Sequence, residues 1–149
     1  MFTHILIATD GSELAGRAVS TGLNLAKSLK AKVTFIAVTE PRTLLVPDNA
    51  LAFGTNGHDV ALAKAASTVL ENAHTEAVKL SVVSDTVHVA NEFPAEAILK
   101  EATARGCDAI VMASHGRRAL GRGEYCLAAR HCGSSPIARS RSLFVGEVV

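Results

Sequence analysis

The chain alternates between short apolar runs and longer stretches in which apolar residues recur every three or four positions. His4 to Ala8 is apolar and is closed by Thr9-Asp10-Gly11-Ser12, which reads as a buried strand ending in a turn. Ser12 suits the cap of a following helix, and Glu13 suits its first turn. Ala15, Ala18, Val19, Gly22, Leu23, Leu25, Ala26 and Leu29 then repeat at helical spacing, which predicts a helix ending near Lys30. Lys32 to Thr39 carries β-branched and aromatic residues and reads as a second strand. Glu40 to Gly57 holds Pro41, Pro47, Gly54 and Gly57 and reads as a long irregular loop. Asp59 to Leu80 predicts a helix with Val60, Ala63, Leu70, Ala73 and Ala77 inward, and Ser81 to Val89 a third strand. Pro94 opens a helix running to about Arg105. Asp108 to Ala113, nearly all apolar, is a fourth strand followed by Ser114-His115-Gly116.

This β-α-β-α-β-α-β order predicts parallel strands joined by right-handed crossovers, with helices on both faces. Ile5-Leu6-Ile7-Ala8 and Ala109-Ile110-Val111-Met112-Ala113 are continuously apolar, as strands covered on both sides are. The length of 149 residues suits one domain, expected over 1–149.

Composition narrows the function classes. A net charge of +1 gives no global pull toward nucleic acid or membrane. No apolar run is long enough to span a bilayer, and the first residues carry no secretory pattern. Three cysteines without paired spacing suggest neither a disulfide framework nor a zinc site. Together these favour the cytoplasm. Six of the nine arginines lie after position 116, along with Cys126, Cys132 and the one tyrosine, Tyr125, so the composition shifts near the carboxyl end.

In an open parallel sheet, ligands bind beyond the carboxyl ends of the strands where the strand order reverses. Two turns at strand ends carry polar residues suited to that place: Thr9-Asp10-Gly11-Ser12 and Ser114-His115-Gly116-Arg117-Arg118. Helix N-termini after such turns favour phosphate, Gly116 permits close backbone approach, and Arg117 and Arg118 can neutralise an anion. The Asp10 carboxylate can accept from ribose hydroxyls or an adenine amine, or help hold a metal ion.

Ile5-Leu6-Ile7-Ala8-Thr9-Asp10-Gly11-Ser12, then Ala37-Val38-Thr39-Glu40-Pro41, then Asp108 through Arg117 resemble the successive signatures of the universal stress protein family. The resemblance covers residues 1 to about 122. It implies a Rossmann-like five-stranded parallel sheet of order 3-2-1-4-5, a homodimer formed through the fifth strand, and a regulatory stress-response protein binding ATP, with Mg²⁺ as a companion ion. It places the nucleotide against Ala8, Thr9, Asp10, Val38, Met112, Ala113, Ser114, His115, Gly116 and Arg117, with Asp10 and Val38 framing the adenosine. Catalysis is not expected beyond slow hydrolysis. ATP-binding members of the family carry Gly-x-x-Gly, nine residues, then Gly followed by Ser or Thr. Here Ala113 and Gly116 take the first two glycine positions, but Cys126 and Leu127 stand where Gly-Ser belongs. The resemblance therefore leaves two functions open: a nucleotide binder, or a member that binds none and acts through dimerisation and protein contacts. A nucleotide-processing enzyme is a third, with no His-x-x-His or P-loop signature to support it.

Residues 123–142 depart from the family's helix and fifth strand, and only Leu143-Phe144-Val145 reads as that strand again. One set of legal codons for Tyr125 to Ser142, read in a shifted frame, spells Leu-Leu-Gly-Ser-Glu-Thr-Leu-Arg-Val-Leu-Ala-His-Ser-Pro-Ile-Pro-Val and runs into Leu143. That reading restores the Gly-Ser and marks 123–142 as an out-of-frame segment.

Plainer roles stand beside these. Asp10 can simply cap the first helix, and Arg117 with Arg118 can be a solvated patch. The arginines from Arg130 to Arg141 lack the interleaved aromatics of a nucleic-acid arm. Cys107 fits a buried strand start, and His58, His74 and His88 read as surface or boundary residues.

Overall fold

The computed structural model describes residues 2–40, 55–114, 124–129 and 143–145. The first strand, β1, is His4–Ala8, and α1 follows as Glu13–Leu29. β2 is Lys32–Thr39 and α2 is Thr55–Lys79. β3 is Ser84–Ala90, α3 is Pro94–Ala104 and β4 is Ala109–Ser114. β5, Glu124–Ala129, and β6, Leu143–Val145, complete the described elements.

β1 to β4 form a parallel sheet in the order β3-β2-β1-β4. α1 and α2 pack on one face around Ile5, Ile7, Phe35, Leu23 and Leu70, and α3 packs on the other around Leu6, Ile36, Ile98 and Ile110. α1 comes close to β1 because Gly22 has no side chain: a Cβ there would fall 2.6 Å from Ile7 Cδ1. The centre of the sheet is fully dry, with Ile5, Leu6, Ile7 and Phe35 at 0% exposure, as strands covered on both faces must be.

Helix ends follow local chemistry. Ser12 Oγ accepts from Ala15 N at 3.1 Å, capping α1. Lys30 ends α1 in the left-handed region at φ 55, and Ala31 N donates to Ala26 O at 2.9 Å. Ser81, at φ 57, turns the chain out of α2, and Val82 N donates to Ala77 O. That turn delays β3 to Ser84, three residues later than the pattern suggested.

Three expectations need correction. α2 begins at Thr55, ahead of Asp59. Val60 is not inward but 67% exposed. The buried stripe of α2 is Ala66, Leu70, Ala73 and Ala77, and helical periodicity carries it back toward Ala63 and Asp59, about a quarter turn from Val60. Among the described residues no fifth parallel strand lies beside β4, and the order 3-2-1-4-5 is not seen. β5 instead runs antiparallel to β4, from Ala109↔Ala129 to Ser114↔Glu124, and β6 runs antiparallel to β5. The stretch 115–123 is shorter than the dozen or more residues a parallel crossover takes, whereas an antiparallel neighbour needs only a short connection.

The amino ends of the strands are tied together by side chains. Asp108 accepts from Thr3 N at 2.8 Å, from Thr3 Oγ1 at 2.9 Å and from His4 N at 3.0 Å. His4 is buried, and its Nε2 lies 2.8 Å from Oγ1 of Thr34, which is itself fully buried. Cys107, the expected core cysteine, is buried beside them, and that burial pushes its thiol up to about 11.

Candidate functional site

β1, β2 and β4 end side by side. Ala8 pairs with Ile36 on β2, and Ile7 pairs with both Phe35 and Val111. After β3 the chain crosses to the far side of β1 to make β4, so the strand order reverses between β1 and β4. That is where open α/β sheets take their ligands.

Seven of the ten residues expected at the site are described, and all seven lie at this edge. Ala8 closes β1, with Thr9 and Asp10 directly after it. Val38 is the penultimate residue of β2. Met112, Ala113 and Ser114 are the last three of β4. Ala8, Val38 and Met112 are partly buried against the core beneath α3, and Ala113 against the core beneath α1 and α2. The candidate site therefore straddles the sheet edge. His115, Gly116 and Arg117 lie outside the described residues, as does Arg118.

The turn after β1 is held by its own side chains. Gly11 N donates to Thr9 Oγ1 at 3.3 Å, and Ser12 N donates to Asp10 Oδ1 at 2.9 Å. These are local hydroxyl and carboxylate turns of the kind that compete with regular backbone bonding. Gly11 sits at φ +80, and a Cβ there would fall 2.6 Å from Val69 Cγ2 of α2. Both the left-handed backbone and the nearness of α2 require glycine. The cap of α1 is Ser12, so Asp10 is not the residue that closes the helix. Asp10 instead sets the turn and remains exposed at the strand end.

The same edge holds a pair that sequence reasoning passed over. Thr39 Oγ1 and His88 Nε2 are 3.2 Å apart, joining the ends of β2 and β3. His88 pairs in register with Ala37, and only that register brings it to Thr39. Thr39 lies in the second family-like signature, but His88 belongs to none, so the pairing itself had no sequence signal. Among the described residues, no group of three or more His, Cys, Asp or Glu could hold a metal ion. None of their helices is long and apolar enough to cross a membrane.

Comparison with known proteins decides the family. Residues 1–124 match the model of the universal stress protein family. The chain belongs to that family. It is 30% identical over 125 residues to universal stress protein YxiE of Bacillus subtilis, covering 78% of this chain and 81% of that protein. Its structure is similar to a universal stress protein family member from Burkholderia pseudomallei, with a TM-score of 0.68, 25% identity and coverage of 76% of this chain and 83% of that one. It shares the fold of an Arabidopsis thaliana family member with AMP bound, at a TM-score of 0.59 and 15% identity, covering 80% of this chain and 81% of that one. The family match stops at 124, where the composition of this universal stress protein also shifts.

Proposed function

We propose that this universal stress protein is a regulatory stress-response protein that binds an adenine nucleotide at the carboxyl edge of its parallel sheet. The observation that carries this reading is the convergence of Asp10, Val38 and the Met112-Ala113-Ser114 strand end at the reversal of strand order. Asp10 supplies an exposed acceptor for a ribose hydroxyl or the adenine amine, and its turn is already fixed by Ser12 N. Ala8, Val38 and Met112 offer a partly buried apolar floor. The bound AMP of the Arabidopsis relative supports the ligand class. ATP with Mg²⁺ is the expected physiological form, with Ser114, His115, Gly116 and Arg117 on its phosphate side. Calorimetric titration with ATP and Mg²⁺, and separately with AMP, tests the proposal. Saturable heat is expected for both, and no heat at millimolar nucleotide would overturn it.

A second reading has its own observation. Cys126 and Leu127 stand in place of Gly-Ser, and they lie on a strand paired antiparallel to β4. A chain built this way lacks the family's second phosphate contact and acts through dimerisation and protein contacts. Among the described residues β6 is the last strand of the sheet, an edge suited to a second copy. Light scattering that shows only monomer would remove this route. The end of the family match at residue 124 supports the idea that 123–142 is read out of frame. A gene sequence that encodes Tyr125 to Ser142 in one continuous frame, with a matching intact mass, would refute it.

A further inference from the structure

α3 faces the sheet with Ala97, Ile98 and Ala102, all buried. Phe93 lies one helical turn before Ala97, so it continues the same stripe. Its carbonyl accepts from Ala97 N at 3.0 Å. Yet Phe93 is 53% exposed. It occupies the cap position of α3 and makes no side-chain cap bond there, where Ser, Thr, Asp or Asn is the usual choice. Neither core packing nor helix capping accounts for this ring.

The core beneath α3 thins toward the same end. Leu6, Ile36, Ile98, Ala102 and Ile110 are buried, but Ala8, Val38, Val89 and Met112 are only partly covered. Val38 and Val89 are register partners on β2 and β3, and Val89 precedes Phe93 by four residues. An apolar shelf thus opens at the carboxyl edge, the end of the sheet at which Phe93 starts α3 and Asp10 follows β1. Three of its four residues belong to the candidate nucleotide site.

We propose that Phe93 is the base-stacking residue of that site, holding the adenine ring over the Ala8-Val38-Met112 shelf. The inference rests on the nucleotide-binding reading and adds what selects the base. An aromatic face stacks on a purine and offers nothing comparable to a bare sugar phosphate.

Calorimetry on the full chain with AMP and with ribose 5-phosphate, for wild type and the Phe93→Ala variant, tests it. AMP affinity should fall roughly 5- to 100-fold in Phe93→Ala, with the weak ribose 5-phosphate heat unchanged. The sequence has no tryptophan, so the Phe93→Trp variant gives a direct signal. Its fluorescence should be quenched by AMP and not by ribose 5-phosphate, with AMP affinity kept. If wild type binds AMP and Phe93→Ala binds it within twofold, with no quenching in Phe93→Trp, Phe93 has no stacking role and the nucleotide reading stands. If wild type binds no AMP, the nucleotide reading itself fails and takes this inference with it. A loss shared equally by AMP and ribose 5-phosphate would show a displaced turn and overturn stacking.

Discussion

The two ends of the parallel strands are finished in different ways. At the amino end, side chains bridge residues far apart in sequence: Asp108 holds Thr3 and His4, and His4 holds Thr34. At the carboxyl end, the turn after β1 is shaped by short-range bonds, Gly11 to Thr9, Ser12 to Asp10 and Ala15 to Ser12, while Thr39 and His88 join the ends of β2 and β3. The first arrangement staples strands together. The second shapes a turn and leaves an exposed carboxylate beside an apolar shelf. One edge thus contributes stability and the other is arranged for a ligand, which is the division expected of an open α/β sheet. If so, substitutions at the amino edge should move stability and spare nucleotide binding, and those at the carboxyl edge should do the reverse.

The largest effect is expected at Asp108. Asp108→Ala removes three acceptor contacts to Thr3 and His4. A loss of about 2 to 3 kcal/mol in denaturant unfolding follows from typical values for hydrogen bonds to a charged group in partly exposed positions. AMP affinity measured well below the melting temperature should be unchanged. Unaltered stability would show that the amino-edge bridges contribute little.

His4 gives this edge a pH dependence. Burial lowers its imidazole below the ordinary value of 6.5, and the positive charge of Lys32 adds to that, against smaller opposing effects from the Arg105 carbonyl, Asp108 and Asp85. Among the described residues, its buried Nδ1 has no partner in good hydrogen-bond geometry. Below pH 6.5 the unfolded chain takes up a proton that the folded chain resists. Stability from this group is therefore present above about pH 6.5 and is lost as pH falls toward the lowered folded value. Urea unfolding from pH 7.5 to 5 should show a decline that is shallower in His4→Asn. Asp108 acts in the same direction at lower pH. Burial raises its carboxyl, but the hydrogen bonds from Thr3 and His4 outweigh burial and bring it below its ordinary value of 3.8. Its contribution is thus present above the unfolded carboxylate range and fades in stronger acid. An identical pH profile in wild type and His4→Asn would place the acid sensitivity elsewhere.

The carboxyl edge was more legible in the sequence than the amino edge, and the reason is range. The turn's bonds from Gly11, Ser12 and Ala15 reach residues two or three positions away, so a short motif contains them. The His4–Thr34 bond depends on the parallel register His4↔Lys32, which no local pattern states. The same holds for Thr39 and His88. Strands β1 and β2 were readable to the residue because both faces are buried along most of their length and their apolar runs are nearly continuous. The start of β3 was not, because the left-handed Ser81 extends the exit from α2 without any Gly or Pro to mark it. The antiparallel β5 was hidden for another reason: residues 123–142 depart from the family's elements, and the family match ends at 124.

Asp10→Ala probes the opposite edge. Asp10 is exposed and Ser12 N donates to its Oδ1 within its own turn, so unfolding free energy should change by about 1 kcal/mol, well short of the Asp108→Ala loss. AMP affinity should fall at least roughly tenfold, about 1.4 kcal/mol. A variant that keeps full affinity would remove Asp10 from the site. One that lost stability as Asp108→Ala does would erase the distinction between the edges.

The smallest effect is the most discriminating about independence. α1 runs back across the sheet, so its end at Lys30 lies at the amino edge, in the left-handed region at φ 55. A side chain there costs roughly 1 kcal/mol that glycine does not incur, and glycine returns part of this as greater freedom in the unfolded chain. Lys30→Gly should therefore stabilise the fold by about 0.5 kcal/mol, seen as a rise of roughly 1 to 2 °C in melting temperature. Asn91 adopts the same backbone region at φ 58 beyond β3, at the carboxyl edge. Asn tolerates that conformation far better than Lys, so Asn91→Gly should gain less. It also sits two residues from Phe93, so it is the change of the pair that should disturb AMP affinity. Substitutions far apart and without shared partners act independently. Lys30→Gly must then leave AMP binding untouched, and a shift in affinity with that variant would mean that the two edges of the sheet communicate through α1.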